Sequence, residues 1–260
     1  MKRPTPNGLS EALDALAGLA VRLDSQLSGL PIEAFALFLS ELGAYNEKTN
    51  LVARSDPETL VKDHLLDCLT LRPEVRKRIA GPAFRPPSLV DIGSGAGFPG
   101  IVLALALPEL TVTLLEATGK KCRFLERAVA ELGLGGRVTV LNERAEVVGR
   151  DRHFRAQFGF ASARAIAALD VILELAFPLI TAGGFLLAQK SRAQLDRELE
   201  PAKRALEPLG GGAVTTLLPD ASILGRAMAI IAVEKLGATP ERFPRPMSQI
   251  KRQPLGCLDS

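Results

Sequence analysis

The sequence predicts an α/β fold: a seven-stranded, mostly parallel sheet with helices on both faces, preceded by a helical cap. Three observations carry this. From residue 88 onward, short apolar runs alternate with stretches of helical periodicity, the pattern of βαβ crossovers. A glycine-rich loop follows the first of those runs directly. The first 87 residues show helical apolar spacing only. With 47% hydrophobic residues the chain can bury a real core, which excludes disordered and collagenous proteins.

In the cap, Leu9, Leu13, Leu16, Ala20, Leu23 and Leu27 recur at roughly helical spacing. Pro31 restarts a second helix carrying Phe35, Phe38, Leu39 and Leu42. Ser55 to Glu58 has capping-box spacing, with Pro57 near the first turn, and opens a third helix through Leu60, Val61, Leu65 and Leu69. The proline-rich break from Gly81 to Ser88 separates the cap (1–87) from the main domain (88–236). A basic tail (237–260) follows.

In the main domain the strands fall at Ser88–Ile92, Thr111–Leu115, Arg137–Leu141, Gln157–Ala161 and Phe185–Gln189. Ala213–Leu218 and Met228–Glu234 close the sheet, with an antiparallel strand among them. Between these lie a helix at Pro99–Ala106, one burying Phe124, Leu125, Ala128, Val129 and Leu132, and one at Leu169–Ile180. A last helix, Arg192–Leu206, takes Ser191 as its N-cap.

Composition narrows the function. Cys68, Cys122 and Cys257 lie far apart with no CxxC and no histidine at metal spacing, so neither a disulfide framework nor a metal site is expected. Glu11, Asp14, Arg22 and Asp24 interrupt every apolar run near the N-terminus, which excludes a signal h-region or a membrane span. A soluble, cytoplasmic protein is expected. The net charge of +3 is spread evenly, at 0, +1 and +2 over residues 1–87, 88–190 and 191–260. A polyanionic substrate would therefore need a local patch.

The strongest signal is Leu89-Val-Asp91-Ile-Gly93-Ser-Gly95-Ala-Gly97-Phe98-Pro-Gly100. Alternate glycines after an apolar strand let a ligand approach the backbone where no Cβ intervenes. Gly95 to Gly100 satisfies the dinucleotide fingerprint G-x-G-x-x-G, with Glu116 21 residues after Gly95. Asp91 to Gly97 equally satisfies D-x-G-x-G-x-G, the loop of S-adenosylmethionine (AdoMet) methyltransferases. Asp91 favours AdoMet, because a carboxylate there can hold a cationic amino acid and would repel a pyrophosphate. Glu116 suits a ribose in either class. Two further contacts follow from topology, since open α/β sheets bind ligands beyond the carboxyl ends of their strands. Ala145 and Glu146 follow strand three, where adenine would be framed, and Arg164 ends strand four.

The acceptor is argued from absences. No Asn/Asp-Pro-Pro-aromatic loop and no cysteine follow strand four, and neither His64 nor His153 follows a strand. No general base is visible, so no catalytic residue is assigned. A ring nitrogen such as guanine N7 needs none, because its lone pair attacks directly once aligned.

These residues together resemble the bacterial small-subunit ribosomal RNA guanine-N7 methyltransferases, the RsmG or GidB family. Tyr45 to Leu51, His64 to Asp67, the glycine loop, Gly119 to Leu125, Arg144-Ala145-Glu146, Ala163-Arg164-Ala165 and the basic run from Arg242 to Leu255 resemble its motifs in order and spacing. The resemblance implies a class I AdoMet-dependent, Rossmann-like methyltransferase modifying N7 of a guanine in 16S rRNA. It implies Asp91, Gly93, Gly95, Gly97, Phe98, Glu116, Ala145, Glu146 and Arg164 at the donor. Lys120, Lys121, Arg123, Arg242, Arg245, Lys251 and Arg252 would contact RNA phosphates, with Arg127 on the same helix. His64 and Asp67 would pair and pack the cap. The partner would be the rRNA or the small subunit, met by a monomer. A nicotinamide-dependent oxidoreductase and a non-catalytic ribosome-binding factor are the alternatives.

Overall fold

A computed structural model describes Leu13, residues 30–79 and residues 87–257 of the chain. The helix expected between Leu9 and Leu27 and most of the proline-rich break lie outside the described residues. Leu13 is the exception: it is helical and buried.

Helix α1 (Ile32–Thr49) buries Phe35, Phe38, Leu39 and Leu42 along one face, as their spacing of three and four requires. It ends at Asn50 in left-handed backbone. Asn46 holds the turn that follows: its Oδ1 accepts from the N–H groups of Leu51 (2.6 Å) and Val52 (2.9 Å), and its Nδ2 donates to the Val52 carbonyl (3.1 Å). The next helix is capped by Asp56, not by Ser55. The Asp56 carboxylate accepts from the Thr59 N–H at 3.0 Å, and Pro57 occupies the first turn. That helix runs from α2 (Pro57–Thr59) through a π-helical stretch (Leu60–Leu66) into α3 (Asp67–Leu69), and α4 (Arg72–Ile79) follows.

The sheet comprises β1 (Ser88–Ile92), β2 (Thr111–Leu115), β3 (Val138–Leu141), β4 (Phe158–Arg164), β5 (Ile180–Ser191), β6 (Gly211–Leu217) and β7 (Met228–Lys235). Their order is β3-β2-β1-β4-β5-β7-β6. The first five are parallel, and β7 runs antiparallel to both β5 and β6. The winding therefore reverses between β1 and β4, the place where such sheets open a crevice.

Between the strands lie α5 (Gly100–Ala106), α6 (Gly119–Glu131), α7 (Ala145–Val148), α8 (Leu169–Ala176), α9 (Arg192–Leu209) and α10 (Ala221–Leu224), with α11 (Met247–Arg252) after β7. The expected elements are present with shifted ends. The helix expected to Ile180 stops at Ala176, and β5 begins at Ile180, before the Gly183-Gly184 pair rather than after it. Ser191 caps α9 in a reciprocal capping box with Gln194, and α9 continues to Leu209 through Pro201. β4 runs through Ala161 to Arg164 at its carboxyl end.

The side-chain period of two in each strand sorts the residues into two cores. Leu89 and Phe160 join one core with the cap helices, α5 and α6. Val90, Ile92, Ala161 and Ala163 join the other with α8 and α9. That alternation decides which residues reach the site. No helix among the described residues is long and apolar enough to cross a membrane.

Candidate functional site

A cavity of about 510 Å³ opens beyond the carboxyl ends of β1, β2 and β3, on the α8 side of the sheet. Ile92 and Gly93 come from β1 and its loop, Leu115 and Glu116 from the end of β2, and Ala145 and Glu146 from α7. Gly93 adopts φ +67, and a Cβ there would lie 2.6 Å from Cγ2 of Ile166, so only glycine fits without displacement. Gly95 and Gly97 also have positive φ, but neither forms a wall of the cavity.

Glu116 is buried, and backbone fixes its carboxylate. Oε2 accepts from the Gly95 N–H at 3.0 Å and Oε1 from the Thr118 N–H at 2.8 Å. Each oxygen keeps acceptor capacity for a ligand's hydroxyl groups. The glycine loop and the ribose-type carboxylate thus meet as expected.

Asp91, Phe98 and Arg164 do not line this cavity. Strand alternation turns Asp91 away from it: next to Ile92, Asp91 faces the cap side. There Oδ2 accepts from the Gly100 N–H (3.1 Å) and Oδ1 from the Ser162 hydroxyl (2.7 Å). Burial pushes the Asp91 carboxyl up to about 6, against the lowering effect of these hydrogen bonds. Asp91 thus ties the loop and α5 to β4, and it stands off the cavity wall rather than on it, where a grip on the donor is expected. Arg164 shares the parity of Ser162. Its Nε donates to Asp67 Oδ2 (3.0 Å), its Nη2 to the Asp63 carbonyl (2.7 Å), and both Nη atoms lie 3.2 Å from His64 Nδ1. His64 stacks on Phe98 with ring centroids 5.0 Å apart. The expected His64–Asp67 pair is bridged by Arg164, and the cluster packs the cap onto the sheet.

Arginine only donates, so His64 Nδ1 accepts and the ring is neutral. Burial, then the Arg164 charge, lowers its pKa to about 4 from 6.5. Between pH 6.5 and 4 the unfolded chain takes up a proton that the folded chain refuses, so this residue removes stability as pH falls. Asp91 acts in the opposite sense, its folded form holding a proton between pH 3.8 and about 6. We expect His64→Gln, which keeps an acceptor for Arg164, to remove the first effect. Urea midpoints of wild type minus variant should decrease from pH 7 to pH 4.5; an unchanged difference refutes the neutral assignment.

The basic residues divide sharply. Lys120 donates to the Thr49 carbonyl (3.1 Å), and Arg127 pairs with Glu41 at 2.8 Å. Arg245 is not available to a phosphate, which corrects its expected role. Its Nε and Nη2 donate to Glu174 at 2.8 and 2.6 Å, and its N–H to the same carboxylate at 2.9 Å. Glu174 has no exposed surface. Arg123, Arg242, Lys251 and Arg252 are exposed and Lys121 is half-buried; Lys251 also borders the cavity.

Two arginines that carried no sequence signal secure the segment after β7. Arg155 donates to the carbonyls of Gly149, Thr239, Pro240 and Phe243. Arg150 donates to the Pro244 carbonyl at 2.8 Å and the Arg242 carbonyl at 3.4 Å. Val171, Leu175, Met247 and Pro254 complete the apolar part of the cavity. Sequence reasoning missed them: Val171 and Leu175 have the spacing of an ordinary core face, and Met247 stands inside a run read as basic.

A family model described as rRNA small subunit methyltransferase G matches residues 31–216. The ribosomal RNA small subunit methyltransferase G of Desulfitobacterium hafniense (strain Y51) is 39% identical over 235 residues, covering 90% of this chain and 93% of that protein. The protein of the same name from Chloroflexus aggregans (strain MD-66 / DSM 9485) is 42% identical over 221 residues, covering 85% and 89%. Among solved structures, an O-methyltransferase from Bacillus cereus in complex with SAH is similar in fold, with a TM-score of 0.53 and 18% identity over 86% of this chain and 100% of that one. A putative O-methyltransferase from Klebsiella pneumoniae has a TM-score of 0.55 and 15% identity, covering 86% and 97%.

Proposed function

The chain belongs to the rRNA small subunit methyltransferase G family, and from that premise we propose that it methylates N7 of a guanine in 16S rRNA. It is an AdoMet-dependent methyltransferase on a class I fold. The residues of the cavity fit that cofactor. A volume of about 510 Å³ falls within the roughly 300–1,000 Å³ usual for small-molecule sites. The backbone-fixed Glu116 carboxylate suits ribose hydroxyls, Gly93 leaves room beside the strand end, and Ala145 with Glu146 borders an apolar slot suited to adenine. AdoMet, when bound, supplies an electrophilic sulfonium methyl group.

The observation that carries the proposal is this cavity, set at the switch point of the sheet in a chain of this family. The protein's own contribution is alignment. Gly93, Glu116 and the 166–168 loop hold the donor and exclude water, and no side chain needs to remove a proton, because N7 offers a free lone pair. Alignment of this kind supplies about 7–11 kcal/mol of barrier reduction. Exposed Arg123, Arg242 and Arg252, with Lys121, are assigned to RNA phosphates, where they position rather than read sequence. We place the enzyme in the cytoplasm, acting as a monomer on the small subunit or its RNA.

The test is tritiated-AdoMet transfer to 16S rRNA and to small subunits from a strain lacking the gene, with mass spectrometry of the nucleosides. Label in N7-methylguanosine is expected, and label elsewhere overturns the assignment. A non-catalytic factor would bind the RNA with strong salt dependence and transfer nothing. Family membership sets the nicotinamide oxidoreductase aside.

A further inference from the structure

The segment after β7 is built into the donor cavity. Arg150 and Arg155 hold its backbone at five carbonyls, and Arg245 anchors it to the buried Glu174. On the inner face of α11, Ile250 is fully buried against Val171 and Leu175, and Met247 packs beside them. Met247, Lys251 and Pro254 then form one wall of the 510 Å³ cavity.

The lining is divided in two. Glu116, Glu143, Arg144 and Glu146 make one part polar, while Val171, Leu175, Met247 and Pro254, with Lys251 among them, make the other mostly apolar. The adenine ring is the one flat, weakly polar part of AdoMet, and Glu116 claims the ribose, so the apolar part is left for adenine. We infer that α11 and the residues just after it form a donor-binding element in which Met247 and Pro254 pack on the adenine ring and Lys251, exposed at the cavity's edge, serves the donor and not the RNA. This rests on the AdoMet reading above. A thioether beside an aromatic ring is a favourable contact, and the surrounding anchors set it in place before the ligand arrives.

Calorimetric titration of the full chain with AdoMet and with S-adenosylhomocysteine tests this. Met247→Trp fills the slot and should raise both dissociation constants about tenfold or more, and Met247→Ala should raise them about threefold. Gln249→Glu, on the exposed face of the same helix, should change neither by more than about twofold. If Met247→Trp does not fold, Met247→Ala decides. Lys251→Met should alter AdoMet affinity in the absence of RNA. Wild-type affinity in the folded Met247 variants overturns the inference, as does a Lys251→Met effect confined to RNA. Wild-type protein and Gly93→Leu run alongside separate the failures. Uptake by the first and not the second leaves the AdoMet reading standing whatever Met247 does. No uptake by wild type overturns both.

Discussion

Gly93→Leu should abolish AdoMet binding, raising the dissociation constant at least a hundredfold by calorimetry, while the protein stays folded. Two effects coincide at this position. The backbone is left-handed, φ +67, which costs a residue with a Cβ about 1–2 kcal/mol. The new Cβ would also sit 2.6 Å from Cγ2 of Ile166, so either the 166–168 loop moves or the strand end does. Both border the cavity, and a larger side chain would project where the donor must lie. The expected stability loss lowers the melting temperature by only about 2–8 °C at roughly 2–4 °C per kcal/mol. Gly135→Leu is the matched control: that glycine is exposed, its φ is not positive, and a Cβ meets nothing within 4 Å. Retained AdoMet affinity in Gly93→Leu would mean that the loop does not cradle the donor.

Arg245→Met should produce the largest loss of stability. It leaves the Glu174 carboxylate, with no exposed surface, without the guanidinium that supplies two of its hydrogen bonds. Breaking a buried pair from one side costs about 3–5 kcal/mol. At roughly 2–4 °C per kcal/mol the melting temperature falls by about 6–20 °C. The double variant Arg245→Met, Glu174→Leu removes both charges and should recover most of the loss, because the uncompensated carboxylate, rather than the missing contact, carries the cost. Urea unfolding of the three proteins checks this. A loss under 1 kcal/mol in the single variant would show that water reaches the carboxylate.

What could be read without coordinates was local. The glycine loop, the carboxylate at 116, the Ala145-Glu146 pair and the Ser191 cap each depend on neighbours within a few positions; Gly93, Glu116, Ala145 and Glu146 border one cavity, and Ser191 caps its helix. Asp91 and Arg164 do not line the cavity, and the sequence holds the means to place them. A strand alternates, so Asp91 takes the face opposite Ile92, and Arg164 the face of Ser162. A position at a strand's end does not by itself reveal that parity. The Arg245–Glu174 pair spans 71 positions and the Arg155 contacts to 239–243 span 84 to 88, so no local pattern announces them. Counting positive charge made the tail look like an RNA grip. Counting partners shows an arginine at its centre turned inward.

The two clamping arginines also set an order of events during synthesis. Arg150 leaves the ribosome 94 residues ahead of the Pro244 carbonyl it will hold. At roughly 5–20 residues per second, that interval is about 5–20 s. Throughout it the nascent sheet carries an unfinished notch at its switch point, and the carbonyls of 239–244 that the two guanidinium groups will hold are not yet present. The cavity has no complete wall until translation passes residue 254, so its apolar side is assembled long after the strand ends it faces.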